Sequence, residues 1–187
     1  MVSRNIEIKA FLKDRAAALA TAARLSGSAP EVIHQQDTFF RGVGARLKLR
    51  IFAPDRGELI RYERADVAGA RCSRYSIART ADPEVLLDIL TQTLGVTGTV
   101  EKVRTLYWVG PTRIHIDQVQ GLGDFLELEV VLGTGQSTPQ SEEEGKGIAA
   151  ALLRKFGIGP EDLIAEAYVD LLAGGAGTAQ LHTPEIE

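Results

Sequence analysis

The sequence predicts an α+β protein: a β-sheet closed into a barrel with its charged strand faces inward, accompanied by helices. Three observations predict it. Six segments alternate apolar and ionisable residues with the period of a strand. Their ionisable faces gather positive charge in a chain whose net charge is −4. Four further segments read as helices, three of them with recognisable caps.

In chain order, Ser3–Phe11, SRNIEIKAF, alternates Ile6 and Ile8 with Asn5, Glu7 and Lys9. A helix is expected from Asp14 to Arg24, where Asp14 caps an alanine-rich body. RLKLR then sets Arg46, Lys48 and Arg50 against Leu47 and Leu49, and LIRYER groups Arg61 with Glu63. The second helix, DPEVLLDILTQTLG, has Asp82 as cap, Pro83 at its first position and Gly95 past its end. EKVRTLYWV aligns Lys102 and Arg104, RIHID aligns Arg113, His115 and Asp117, and FLELEVVL aligns Glu127 and Glu129. A third helix opens on SEEE, where Ser141 and Glu144 have capping-box spacing, and stops at Gly157. A fourth is expected from Pro160 to Leu172. Residues 1–172 read as one domain, and the Gly-rich end, 173–187, as a disordered tail.

A sheet with one solvated side also explains alternation in a single strand. It does not explain the charge distribution. The six polar faces hold eight cations (Lys9, Arg46, Lys48, Arg50, Arg61, Lys102, Arg104, Arg113) and five anions (Glu7, Glu63, Asp117, Glu127, Glu129), whereas the rest of the chain is net −7. A closed sheet with those faces inward makes a cationic channel whose carboxylates can hold a metal. The ligand implied is a polyanion bound with a divalent cation.

Composition bounds the rest. At 187 residues, 44% hydrophobic and 25% charged, the chain suits one ordinary globular domain. The acidic balance argues against non-specific nucleic-acid binding. The single cysteine, Cys72, excludes an internal disulfide and fits a reducing cytoplasm. The N-terminus lacks a secretion signal, and no stretch approaches the roughly 20 apolar residues of a membrane helix.

NIEIK resembles the ExExK signature of the CYTH superfamily, the triphosphate tunnel metalloenzymes. DTFF, RLKLR, YERADVAGARCSRY, EKVRTLY, RIHIDQVQGLGDFLELE and AYVDLL resemble further blocks of that family, in its order, from Asn5 to Leu172. The likeness is greatest to the bacterial class IV adenylyl cyclase-like branch. It implies an antiparallel β-barrel tunnel of about eight strands with helices outside, Mg²⁺ or Mn²⁺ as cofactor, and a small-molecule triphosphate as partner: ATP, tripolyphosphate or thiamine triphosphate. By the same resemblance a homodimer is plausible. The chain departs from the signature at Asn5, which replaces the first glutamate and brings neither charge nor basicity, and Gln118 and Gln120 are neutral where relatives often have acids.

Mg²⁺ takes an oxygen octahedron built from one or two carboxylates, waters and phosphate. Glu7, Glu127 and Glu129 suit it, and Asp117 either completes a second metal site or orients a water. Lys9, Lys48, Arg50, Lys102 and Arg104 are expected to clamp the phosphates, with Arg61 and Arg113 as further candidates. Lys9, Lys102, Arg104 and Asp117 are the expected catalytic groups, offsetting transition-state charge. His115 reads as a proton carrier, a phosphate contact or a structural histidine. His34 reads as peripheral, and Tyr168 as a cover for a tunnel mouth or as packing. Two reactions share this clamp: cyclisation of ATP to cyclic AMP and pyrophosphate, and hydrolysis by an inorganic tripolyphosphatase or a thiamine or nucleoside triphosphatase. A non-catalytic polyphosphate- or nucleotide-binding module is a third reading, motivated by Asn5.

Overall fold

Alternation runs through eight strands in the computed structural model, which describes residues 3–42, 44–133 and 138–175. They are β1 (Ser3–Phe11), β2 (Glu31–Phe40), β3 (Arg46–Ala53), β4 (Arg56–Arg64), β5 (Arg71–Thr80), β6 (Val96–Val109), β7 (Thr112–Val119) and β8 (Gly123–Leu132). They close in the order β1-β5-β4-β3-β2-β6-β7-β8, and β8 returns to pair with β1. Every pairing is antiparallel. The expected α+β barrel is the observed one.

Both faces of β1, β7 and β8 are covered. Ile6, Ile8, Ile114, Ile116, Leu126 and Leu128 point outward and pack with Ala18 and Ala22 of α1 (Arg15–Ser26) and Ala149 and Leu152 of α3 (Glu142–Phe156). The alanines of α1 let it lie close on the sheet. The Asp14 side chain caps α1 by accepting from the Ala17 N–H at 2.9 Å, and Ser141 caps α3 through the Glu144 N–H at 3.1 Å. α2 (Pro83–Leu94) lays Leu86, Leu87 and Leu90 on Leu49 and Ile51 of β3.

The fourth helix differs from expectation. Pro160–Asp162 form one 3-10 turn, residues 163–167 leave the helical path, and α4 begins only at Tyr168 and runs to Gly175. The cause is a free strand edge. Pairing of β1 with β5 ends at Glu7–Arg71. The Lys9 carbonyl beyond it accepts the Ile164 N–H at 2.9 Å, and Leu163 bridges to Ala10. An unpaired edge carbonyl thus outweighs local helical preference. Arg71 fastens the same segment by donating to the Ala165 carbonyl at 2.9 Å. The tail expected at 173–187 has its first three residues in α4; residues 176–187 lie outside the described residues.

This segment plugs one end of the barrel. Ile164, Ala167, Tyr168 and Val169 pack against inward-facing Phe39, Ile60, Tyr62, Val100, Val119 and Phe125. Gly98 makes room for it: a Cβ there would lie 2.5 Å from Val169 Cγ2. Among the described residues no helix is long and apolar enough to cross a membrane.

Leu128 is fully buried between the barrel and its helical cover. Leu128→Ala should cost about 2–5 kcal/mol, read as a lower urea midpoint with an unchanged slope.

Candidate active site

The barrel encloses a cavity of ≈ 370 Å³. Ala167 and Tyr168 floor it at the plugged end, and the exposed lining residues Ile77 and Arg79 mark the opposite rim. Among the described residues its lining carries eight cations (Lys9, Lys48, Arg50, Arg64, Arg79, Lys102, Arg104, Arg113) and five anions (Glu7, Asp37, Glu58, Glu127, Glu129).

The charged faces of β1, β3, β6, β7 and β8 therefore turn inward, as alternation implies. The face of β4 is the exception. Ile60, Tyr62 and Arg64 line the cavity, which puts Arg61 and Glu63 on the outer surface, ion-paired to each other and exposed. Arg61, expected at the phosphate clamp, is thus outside the barrel, and Arg64 holds the inward place. The reason is that LIRYER has an apolar residue on each face: Leu59 meets the α2 cluster and Ile60 the interior plug. Arg46 lies at the plugged end, bonded to Asp170 at 2.7 Å and Asp66 at 2.9 Å. His34 and Arg74 are exposed.

Two carboxylates organise the cations. Asp37, on β2, accepts from Arg50 at 2.7 and 2.8 Å and from Lys48 at 2.8 Å, with Lys102 Nζ 3.8 Å away. Burial pushes its pKa up, but these three cations override it and hold it well below the usual carboxylate range. Asp117, on β7, accepts two bonds from its cross-strand partner Arg104 at 2.7 and 2.6 Å, and one from the Tyr168 hydroxyl at 3.1 Å. Burial raises its pKa, yet Arg104 and Lys102 bring it down to about 2. Both oxygens carry bonds to Arg104, so Asp117 fixes the plane of that guanidinium.

The other acids sit nearby. Glu7 Oε1 accepts from Arg64 at 2.7 Å and Arg71 at 2.9 Å. Glu127 Oε2 lies 3.1 Å from Arg104, and Glu129 Oε2 lies 2.6 Å from Arg113. Burial raises Glu127, but Arg104 and Lys9 override it and hold it ionised. Burial raises Glu129 more than Arg113 lowers it. Lys9 Nζ sits 3.9 Å from the centre of the Tyr168 ring, so Tyr168 both closes the floor and faces a cation.

The residues present fit a divalent cation. Donor atoms of His115, Glu127 and Glu129 lie within 4.8 Å of one another. His115 Nδ1 and Asn5 Oδ1 are buried with no hydrogen-bond partner, so two polar atoms in a cationic cavity go unused. Glu127 and Glu129 are the carboxylates such an ion would take.

Sequence reasoning missed Asp37, Arg64 and Arg71. For Asp37 a signal existed: QQDTFF places Gln35, Asp37 and Phe39 at one parity, and all three line the cavity. Arg71 follows RADVAGA, whose turn-like composition hides where the strand starts.

Fold and site together define a closed β-barrel whose cavity gathers cations beside carboxylates. The CYTH domain model matches residues 3–168, and the chain belongs to that family. Among solved structures it is similar to the PH1012 protein of Pyrococcus horikoshii (22% identity, 89% of this chain and 98% of that one, TM-score 0.76). It is similar also to a conserved hypothetical protein of Pyrococcus furiosus (19%, 89% and 99%, 0.72). A third likeness is to a protein of Vibrio parahaemolyticus described as "a putative adenylate cyclase" (18%, 90% and 97%, 0.68). No curated protein matches the chain.

Burial, then Arg104, lowers the Lys102 pKa from 10.5 to about 7. Its folded pKa lies below its unfolded one, so the unfolded chain binds more protons between those values. This group therefore favours folding increasingly as pH rises through that window, by at most about 1.4 kcal/mol per pH unit. Lys9 and Lys48, also lowered by burial, act in the same sense. Chemical denaturation from pH 7 to 9.5 should show a shallower pH slope in Lys102→Met than in the wild type; equal slopes would refute the assignment.

Proposed function

We propose that the chain is a divalent-metal-dependent enzyme acting on a triphosphate inside the barrel, with cyclisation of ATP to cyclic AMP and pyrophosphate as its lead reaction. One observation carries the reading: eight cations and five acids line a single cavity floored at one end. Surplus positive charge in so enclosed a volume calls for a polyanion, and CYTH membership supports a triphosphate.

Lys48, Arg50, Lys102, Arg104 and Arg113 bind phosphate oxygens, and Lys9 adds charge near the floor. Burial strengthens each contact, because less water screens it. Asp37 and Asp117 keep the guanidinium planes of Arg50 and Arg104 fixed before substrate arrives, so little reorganisation remains for the reaction. Asp117 is thus a positioning residue. Glu127 and Glu129 would hold the metal, which supplies charge neutralisation at the phosphates. Arg64, held by Glu7, faces the cavity from the opposite side and is a further phosphate ligand.

The rim favours an organic triphosphate over an inorganic one. Ile33, Phe52, Ile77 and Leu106 line the cavity there, and an apolar rim suits a base better than a terminal phosphate. A 3′-hydroxyl held near that rim would attack the α-phosphorus and release pyrophosphate deeper in the cavity. Asn5 favours a second reading, a non-catalytic module, because a neutral amide stands on the cavity wall where the family signature has an acid.

Purified protein with Mg²⁺ or Mn²⁺, offered ATP, tripolyphosphate and thiamine triphosphate separately, tests these readings. Cyclic AMP with pyrophosphate is expected from ATP. Orthophosphate release would establish a triphosphatase instead, and tight binding without turnover would establish the module. Arg50→Ala should lower kcat/KM at least ~100-fold, as loss of a buried charge-assisted pair predicts, whereas Arg61→Ala should leave it within about twofold.

A further inference from the structure

We propose that His115 donates Nδ1 directly to the metal, making a centre of one nitrogen and two carboxylates with Glu127 and Glu129 that prefers Mn²⁺ to Mg²⁺. The inference rests on the metal-dependent reading above and adds a ligand and a selectivity to it.

Backbone pairing sets the triad. His115 on β7 is the direct cross-strand partner of Glu127 on β8, and Arg113 is the partner of Glu129. His115 and Glu129 are therefore diagonal neighbours on one inward face, a separation that long side chains span. The ring is 3% exposed, and its Nδ1 has no hydrogen-bond partner. Glu129 Oε1 stands 3.9 Å from it, too far for a hydrogen bond.

The arginines leave that space open. Arg104 approaches Glu127 through Oε2, and Arg113 approaches Glu129 through Oε2. Oε1 of Glu129 is then the atom that faces the imidazole. The donors lie within 4.8 Å of one another, and on an octahedral ion with bonds near 2.1 Å ligands stand about 4.2 Å apart when opposite and about 3.0 Å apart when adjacent. A side-chain adjustment of about 1–2 Å closes the set.

A buried imidazole with an unpartnered nitrogen costs stability. A metal ion shared with two carboxylates satisfies that nitrogen. Mg²⁺ prefers an all-oxygen shell, whereas first-row transition ions accept imidazole nitrogen, and Mn²⁺ also suits carboxylates. An oxygen in place of this nitrogen would erase the preference.

The test uses untagged, metal-free full-length protein in a non-coordinating buffer, with Mn²⁺ as the probe. Electron spin-echo modulation of bound Mn²⁺ should show nitrogen coupling that changes pattern when the protein's histidines carry ¹⁵N. Calorimetry should show Mn²⁺ bound at least ~10-fold tighter than Mg²⁺. His115→Leu should retain Mn²⁺ through the carboxylates, lose the nitrogen coupling and bring the two affinities within about threefold. Should that variant fail to fold, the labelled wild-type spectrum still decides the ligand. Bound Mn²⁺ without histidine coupling, or with coupling that survives His115→Leu, overturns this inference while leaving the metal-dependent reading intact. If neither ion binds, even with tripolyphosphate present, both fail.

Discussion

Like charges enclosed together are the constraint on which this molecule depends. Lys48, Arg50, Lys102 and Arg104 project into one small barrel, where each guanidinium or ammonium has lost most of its water. Leaving one such charge unpaired costs several kcal/mol, and removing a partner from a buried pair typically costs about 3–5 kcal/mol. Asp37 and Asp117 answer that cost from opposite sides of β6, the first holding Lys48 and Arg50, the second holding Arg104. Lys102 lies between them, 3.8 Å from one and 3.7 Å from the other. The barrel wall and the anion clamp are therefore one construction.

Closure of the barrel and closure of its floor share a cause. β1 pairs with β8 along most of its length but with β5 only as far as Glu7. The edge left free recruits residues 163–164, and that recruitment delivers Tyr168 beneath Lys9. The ring fills apolar space among Phe125 and Val100 while its hydroxyl donates to Asp117. Local strand pairing thus sets the dielectric at the bottom of the site, and through it the depressed pKa of Lys102.

Period-two reading works wherever one parity is wholly apolar. In NIEIK, RLKLR and FLELE the apolar parity leaves no doubt about which residues lie beneath a helix, and it locates Glu7, Lys48, Arg50, Glu127 and Glu129. It fails on β4, because both faces of that strand meet apolar clusters and neither parity is purely charged. Arg61 and Arg64 differ in position by an odd number, so choosing the wrong parity exchanges one for the other. EVIHQQDTFF and RCSRYSIART are harder still, since their inward residues mix Ile, Gln, Ser, Tyr and Arg. The kink before α4 left no mark in the sequence, since its cause is a carbonyl about 155 residues upstream. What could be read was the sign of the cavity. The pairing of each cation with an individual carboxylate could not, because it depends on which strands are neighbours.

The two ends of the cavity differ, and the difference gives a ligand a direction. At the floor, Lys9, Lys102 and the Tyr168 ring stand together with no open water side. At the rim, Ile77 is exposed, and the charges there, Glu58 and Arg79, stand 3.7 Å apart and largely cancel. A chain of phosphates loses most by facing the rim and gains most by reaching the floor, where screening is weakest. An uncharged group attached to that chain is driven the other way, since placing it among buried ammonium groups would strip their hydration without return. Polarity along the barrel axis therefore orders the ligand before any single contact selects it. The acids on β8, Glu127 and Glu129, flank the middle of that path.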